Sequence, residues 1–130
     1  MHKLTLIALA SLVAMLAVTA STALAGATKG GKGVIARGKC SASSVWKLKA
    51  KADDGRIETE FEVDQNRIGR RWRVTITQNG ATVFSGSRTT LAPSGSFSVH
   101  RLLAGAPSSR ILATAKALRG GESCRAALSL

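Results

Sequence analysis

From Cys40 onward the chain alternates apolar and polar side chains with a period of two, the pattern of strands with one dry and one wet face. Trp46, Leu48, Ala50 and Ala52 alternate with Lys47, Lys49 and Lys51. Beyond Asp53-Asp54-Gly55, Ile57, Thr59, Phe61 and Val63 alternate with Glu58, Glu60, Glu62 and Asp64. Asp-Gly is a strong hairpin signal. A two-residue loop at Asp54-Gly55 sets Lys51 opposite Glu58, Lys49 opposite Glu60 and Lys47 opposite Glu62. On the other face it sets Ala52 by Ile57, Leu48 by Phe61 and Trp46 by Val63. A one-residue slip would carry every apolar side chain to the wet face. The charge pairs, each worth ~0.2–1 kcal/mol, serve mainly to hold that register. This ladder accounts for the carboxylates, which are therefore read as neither a catalytic nor a metal cluster.

A second hairpin follows. Trp72, Val74 and Ile76 alternate with Arg71, Arg73, Thr75 and Thr77, and Asn79-Gly80 is a type I′ turn pair leading into Ala81 to Arg88. Leu91-Ala92-Pro93-Ser94-Gly95 and Gly105-Ala106-Pro107-Ser108 break the chain on either side of a strand over Ser96 to Leu103, with Phe97 and Val99 inward. Ile111, Ala113, Ala115 and Ala117 mark the next strand, Arg119-Gly120-Gly121 turns it, and Cys124, Ala126, Leu128 and Leu130 mark the last. Seven strands with closely spaced turn signals and no helical stretch predict an all-β antiparallel sandwich or barrel over residues 39–130.

The first 25 residues follow another rule. Met1-His2-Lys3 is a short positive start, Leu4 to Val18 is apolar apart from Thr5 and Ser11, and Ala23-Leu24-Ala25 offers small residues for cleavage. This is a secretory signal peptide, residues 1–25, with an apolar run shorter than the ~20 residues a bilayer span needs. No Cys follows the apolar run closely, so no lipid anchor is expected. Residues 26–38, rich in Gly with Lys29, Lys32 and Arg37, read as a flexible basic arm that runs into Lys39. The expected location is extracellular, with charge able to retain the protein at the cell envelope.

Export changes how the two cysteines are read. In an oxidising compartment Cys40 and Cys124 imply one disulfide rather than two free thiols. A metal site would need more ligands than these two and His100. His100 falls on the outward parity of its strand and reads as a surface residue. The chain has no G-x-S-x-G, no H-E-x-x-H and no Gly-rich phosphate loop before a helix, so no enzyme activity and no cofactor are expected. Asp64-x-Asn66 is a fragment of a calcium loop and fits a turn cap better. Trp46, Phe61, Trp72 and Phe97 fall on the inward parity, whereas Phe84, opposite in parity to Val83, is a candidate exposed contact.

The order of seven strands, a Trp opening the third, and Pro93-Ser94-Gly95-Ser96-Phe97-Ser98-Val99 entering the fifth resemble an immunoglobulin-like or fibronectin-type sandwich. With the leader, the stretch Glu60-Phe61-Glu62-Val63-Asp64-Gln65-Asn66-Arg67 resembles small secreted actinobacterial proteins of unassigned function. The resemblance covers about residues 40–130 and departs from antibody domains in two ways. Their disulfide joins the second and sixth strands and a Tyr precedes the second Cys. Here the cysteines fall at the first and seventh strands, and there is no Tyr.

Charge supplies the remaining expectation. The chain carries 19 Lys+Arg against 7 Asp+Glu, net +12. Residues 47–64 hold four basic and six acidic side chains; beyond the leader, all other positions hold 14 basic and one acidic. Arg67, Arg70, Arg71 and Arg73 around Gly69, with Lys29, Lys32, Arg37 and Lys39 in the arm, are the candidate anion-binding residues. Guanidinium forks suit phosphate, so the candidate partners are anionic cell-wall polymer, lipid headgroups or extracellular nucleic acid. Two alternatives stand beside this one. Such a charge also serves solubility alone, and a loop such as Gln65 to Arg71 on a rigid sandwich suits an inhibitor or another protein-interaction module.

Overall fold

The computed structural model describes residues 33–130, and among them there are eight strands, two antiparallel sheets and no helix. The leader and the arm residues Lys29 and Lys32 lie outside the described residues. The strands are β1 (Val34–Lys39), β2 (Val45–Asp53), β3 (Arg56–Asp64), β4 (Arg71–Gln78), β5 (Ala81–Thr89), β6 (Ser96–Ala104), β7 (Arg110–Ala117) and β8 (Ser123–Ser129). The first sheet runs β1-β2-β3-β6 and the second β5-β4-β7-β8. β1 lies by β8 at one side of the molecule, and β5 by β6 at the other.

Both hairpin turns have the backbone that their sequence demands. Asp54 and Gly55 sit at φ 49° and 73°, Asn79 and Gly80 at 50° and 83°. Positive φ at both central residues defines a type I′ turn, whose twist matches that of the flanking strands. The β2–β3 register places Lys51, Lys49 and Lys47 opposite Glu58, Glu60 and Glu62, with Leu48 by Phe61 and Trp46 by Val63. Lys47 Nζ lies 3.6 Å from Glu62 and Lys49 Nζ 3.4 Å from Glu60.

The inward sets of the two sheets meet in one core. Leu48, Phe61, Val63 and Val99 from the first sheet and Trp72, Val74, Ile76 and Ile111 from the second are fully buried. Each such side chain stabilises the fold by roughly 1.5–3 kcal/mol relative to exposure. The Trp72 and Phe97 rings meet at 6.1 Å in a tilted arrangement. At the β8 side the inward residues shrink to Ala115, Ala117 and Ala126, and here Cys40 and Cys124 form the disulfide, with Cα atoms 4.3 Å apart. This bond joins the segment between β1 and β2 to β8, and so ties the sheets together covalently.

Three expectations need correction. Residues 34–38, assigned to a flexible arm, form with Lys39 the edge strand β1, so the strands number eight rather than seven and Cys40 follows the first strand instead of opening it. Composition misleads because β1 is ordered by its ladder with β2 and by the disulfide that follows, not by burying its own side chains. Val34 and Ile35 remain 38% and 48% exposed. Gly38 makes the pairing possible: a Cβ there would come within 2.5 Å of the Trp46 indole, which is half-buried against the core.

The second correction concerns Phe84. The β4–β5 register shifts between Ile76 and Thr77, so that Thr77 pairs with Thr82 and Ile76 with Phe84. Val83 is the extra residue of a bulge, and the bulge turns Phe84 inward, where 9% of it is exposed. The Arg88 and Arg101 guanidiniums lie over its ring, 4.8 and 4.4 Å from the centroid, in cation–π contact. Phe84 is therefore no exposed contact. The third and smallest correction is Ala52, which lies at the end of the hairpin beyond the reach of the core and is exposed.

Candidate functional site

Alternation in β4, β7 and β8 puts one cation after another on the outer face of the second sheet. Arg71 and Arg73 of β4, Arg110 and Lys116 of β7, and Arg125 of β8 are all exposed. Hydroxyls fill the places between them, in rows Ser87–Arg73–Lys116–Ser123 and Ser85–Thr75–Thr114–Arg125. Arg73 thus stands directly opposite Lys116, and like charges so placed are destabilising.

No acidic side chain is left to neutralise this face. Of the seven acidic residues, six lie in the β2–β3 hairpin of the first sheet. The seventh, Glu122, turns to the segment between β1 and β2. There it accepts hydrogen bonds from the Ala42 N–H (3.1 Å), the Ser44 N–H (2.9 Å) and the Ser44 hydroxyl (2.7 Å). Among the described residues the only ion pairs are Lys47–Glu62 and Lys49–Glu60.

The loop before β4 is held firmly. The hydroxyl of buried Thr90 accepts from the Arg70 N–H at 2.9 Å and donates to the Arg67 carbonyl. The Thr90 carbonyl accepts from Gly69 N–H at 2.8 Å. Asp64 Oδ1 accepts from Asn66 N–H at 2.9 Å, the turn cap expected of that pair. Gly95 packs so closely on the backbone of Asn66 and Arg67 that any side chain there would collide with it.

The structure divides the candidate residues. Arg71 and Arg73 lie on the cationic face, Arg70 is half-buried at its end, and Arg67 is exposed on the loop. Arg37 and Lys39 are exposed on β1, in the other sheet, where Arg37 stands opposite Lys47. Arg110, Lys116, Arg119 and Arg125 do not stand out in the sequence. The outward parity of the last two strands marks three of them, but only sheet order sets Lys116 beside Arg73. His100 is exposed on β6, opposite Glu60. Among the described residues no group of three or more His, Cys, Asp or Glu is placed to hold a metal ion. Compared with protein-family models, curated proteins and solved structures, the chain matches none.

Proposed function

We propose that this protein is an exported, non-catalytic binding module that engages a phosphate-rich polymer through the outer face of its second sheet. The observation that carries this is the unneutralised cationic face on which Arg73 stands directly opposite Lys116, an arrangement that costs stability in the free protein and loses that cost against an anion. The Cys40–Cys124 bond supports an oxidising compartment, in line with the leader. In architecture the module is immunoglobulin-like. Lettering β2 to β8 as A to G, the sheets are A-B-E and D-C-F-G, with β1 added beside A. Constant-type immunoglobulin domains have A-B-E-D and C-F-G, so the two differ in the sheet that D joins, a variation we assign to the fibronectin type.

The test is retention on phosphocellulose. The protein should bind at low salt and elute over tens to hundreds of millimolar, as counterion release requires. Replacing Arg71, Arg73, Lys116 and Arg125 by Gln should abolish retention, whereas replacing Lys47 and Lys49 by Gln should change it little. Equal loss from both sets would reduce the interaction to net charge and overturn the assignment. A protein partner is the second reading, favoured by Ile68, which is 60% exposed on the pinned loop. Such an interface should persist at salt concentrations that release a polyanion.

A further inference from the structure

At the end of the cationic face, where β4 begins and β7 ends, lies an open cleft of about 410 Å³. Gln65, Arg70, Arg71, Leu118 and Arg119 line it. Its walls are fixed by backbone: Leu118 N–H donates to the Arg71 carbonyl at 3.0 Å, Ala117 N–H to the Glu122 carbonyl at 2.8 Å, and Thr90 holds Arg70 from behind. The three guanidiniums form no ion pair or side-chain hydrogen bond among the described residues. Gln65 is oriented by Trp72, whose buried indole N–H donates to Gln65 Oε1 at 3.1 Å. An N–H must face the amide oxygen, so the Gln65 Nε2 hydrogens are the free end of that group.

Every polar side-chain group offered to the cleft is therefore a donor. A planar carboxylate presents two oxygens in one plane, and a single guanidinium fork satisfies it. Three forks and an amide arriving from different elements suit a tetrahedral oxyanion. Three positive charges without a counterion favour its doubly charged form. Resting on the assignment of the face to a phosphate-rich polymer, we propose that this cleft binds a phosphate monoester, the terminal phosphate of such a chain, while Arg73, Lys116 and Arg125 on the flat face take the singly charged internal phosphates.

The experiment follows the Trp72 indole and Gln65 side-chain amide resonances of the purified protein while methyl phosphate is added. Both should shift and saturate, whereas dimethyl phosphate, methyl sulfate and acetate should bind about tenfold more weakly or worse, lacking the second charge or the tetrahedral oxygens. Affinity should fall as pH drops through about 6, where the dianion of a phosphate monoester takes up a proton and becomes singly charged. Arg119→Gln should weaken methyl phosphate about tenfold or more. Arg119→Lys, which keeps the charge but not the fork, should recover part of that loss, and Lys47→Gln, on the first sheet and away from both the face and the cleft, should leave methyl phosphate affinity unchanged. Thermal melts of the three variants identify any that fails to fold.

Acetate or methyl sulfate binding as tightly as methyl phosphate overturns the proposal, as does an Arg119→Gln variant that binds unaltered. Should phosphocellulose retain the protein while methyl phosphate moves neither resonance, the cleft assignment falls and the face stands. Failure of both removes both. Competition by soluble tripolyphosphate, whose ends are terminal tetrahedral phosphates, supports a polymer end as the source of the terminal phosphate. Competition by phosphatidic acid vesicles alone supports the same cleft chemistry with a lipid as the source.

Discussion

The outer faces of the two sheets both carry a set of cations, yet they differ in what stands beside the charge. On the first sheet Lys47, Lys49 and Lys51 of β2 face Glu62, Glu60 and Glu58 of β3 across the hairpin. Arg37 does sit beside Lys47, but that ammonium has Glu62 3.6 Å away on its other side. On the second sheet Arg71, Arg73, Arg110, Lys116 and Arg125 have only each other and a set of Ser and Thr hydroxyls. The first face is complementary to itself, so its charge is explained by folding. The second is a field without a counterpart in the described chain, and folding is made harder by it. A charged face that the fold does not require is the better place to look for a ligand.

The largest effect should come from severing what joins the two faces. Replacing Cys40 and Cys124 by Ala should lower stability by about 2–4 kcal/mol. Chemical denaturation of the oxidised parent and the double variant measures it, and coincident curves would mean that the core alone unites the sheets.

A reversal on the first sheet comes next. Changing Glu58, Glu60 and Glu62 to Lys removes the two ion pairs and sets like charges opposite one another at three positions, at a cost of about 1–3 kcal/mol at low salt. If the contrast between the faces is right, this variant also gains retention on phosphocellulose through a sheet that previously had none of its own. A variant that melts like the parent would show that the ladder contributes no stability.

The smallest change has the most informative sign. Lys116→Glu places a carboxylate opposite Arg73 and should raise stability by about 0.2–1 kcal/mol while weakening retention on the polyanion. The gain should shrink with added salt, because both groups are exposed. Stability and binding moving in the same direction would break the link between unpaired charge and function.

Some of the cationic face is legible in local pattern alone. The arginines at 71 and 73 share a parity in an evident strand, and the same parity rule marks Lys116 and Arg125 as outward. That Lys116 adjoins Arg73 is not written locally, because it depends on β7 pairing with β4 across two intervening strands and their turns. The cleft is less legible still. Gln65, Arg71 and Arg119 come from a loop, a strand and a distant turn, and nothing in their spacing brings them together.

By itself the sequence determined what neighbouring residues decide among themselves. The period of two, Asp54-Gly55 and Asn79-Gly80 set both hairpins and the register of the first, since turn backbone and side-chain parity act within a few residues. Tertiary structure alone decided the sheet that each hairpin joins, the ordering of residues 34–39 as an edge strand, the bulge that buries Phe84, and the destination of Glu122. These depend on hydrogen bonds and packing between segments far apart in the chain. Any exposed polar residue satisfies local pattern equally well, so only the assembled sheets determine which cations meet an acid and which are left to meet a ligand.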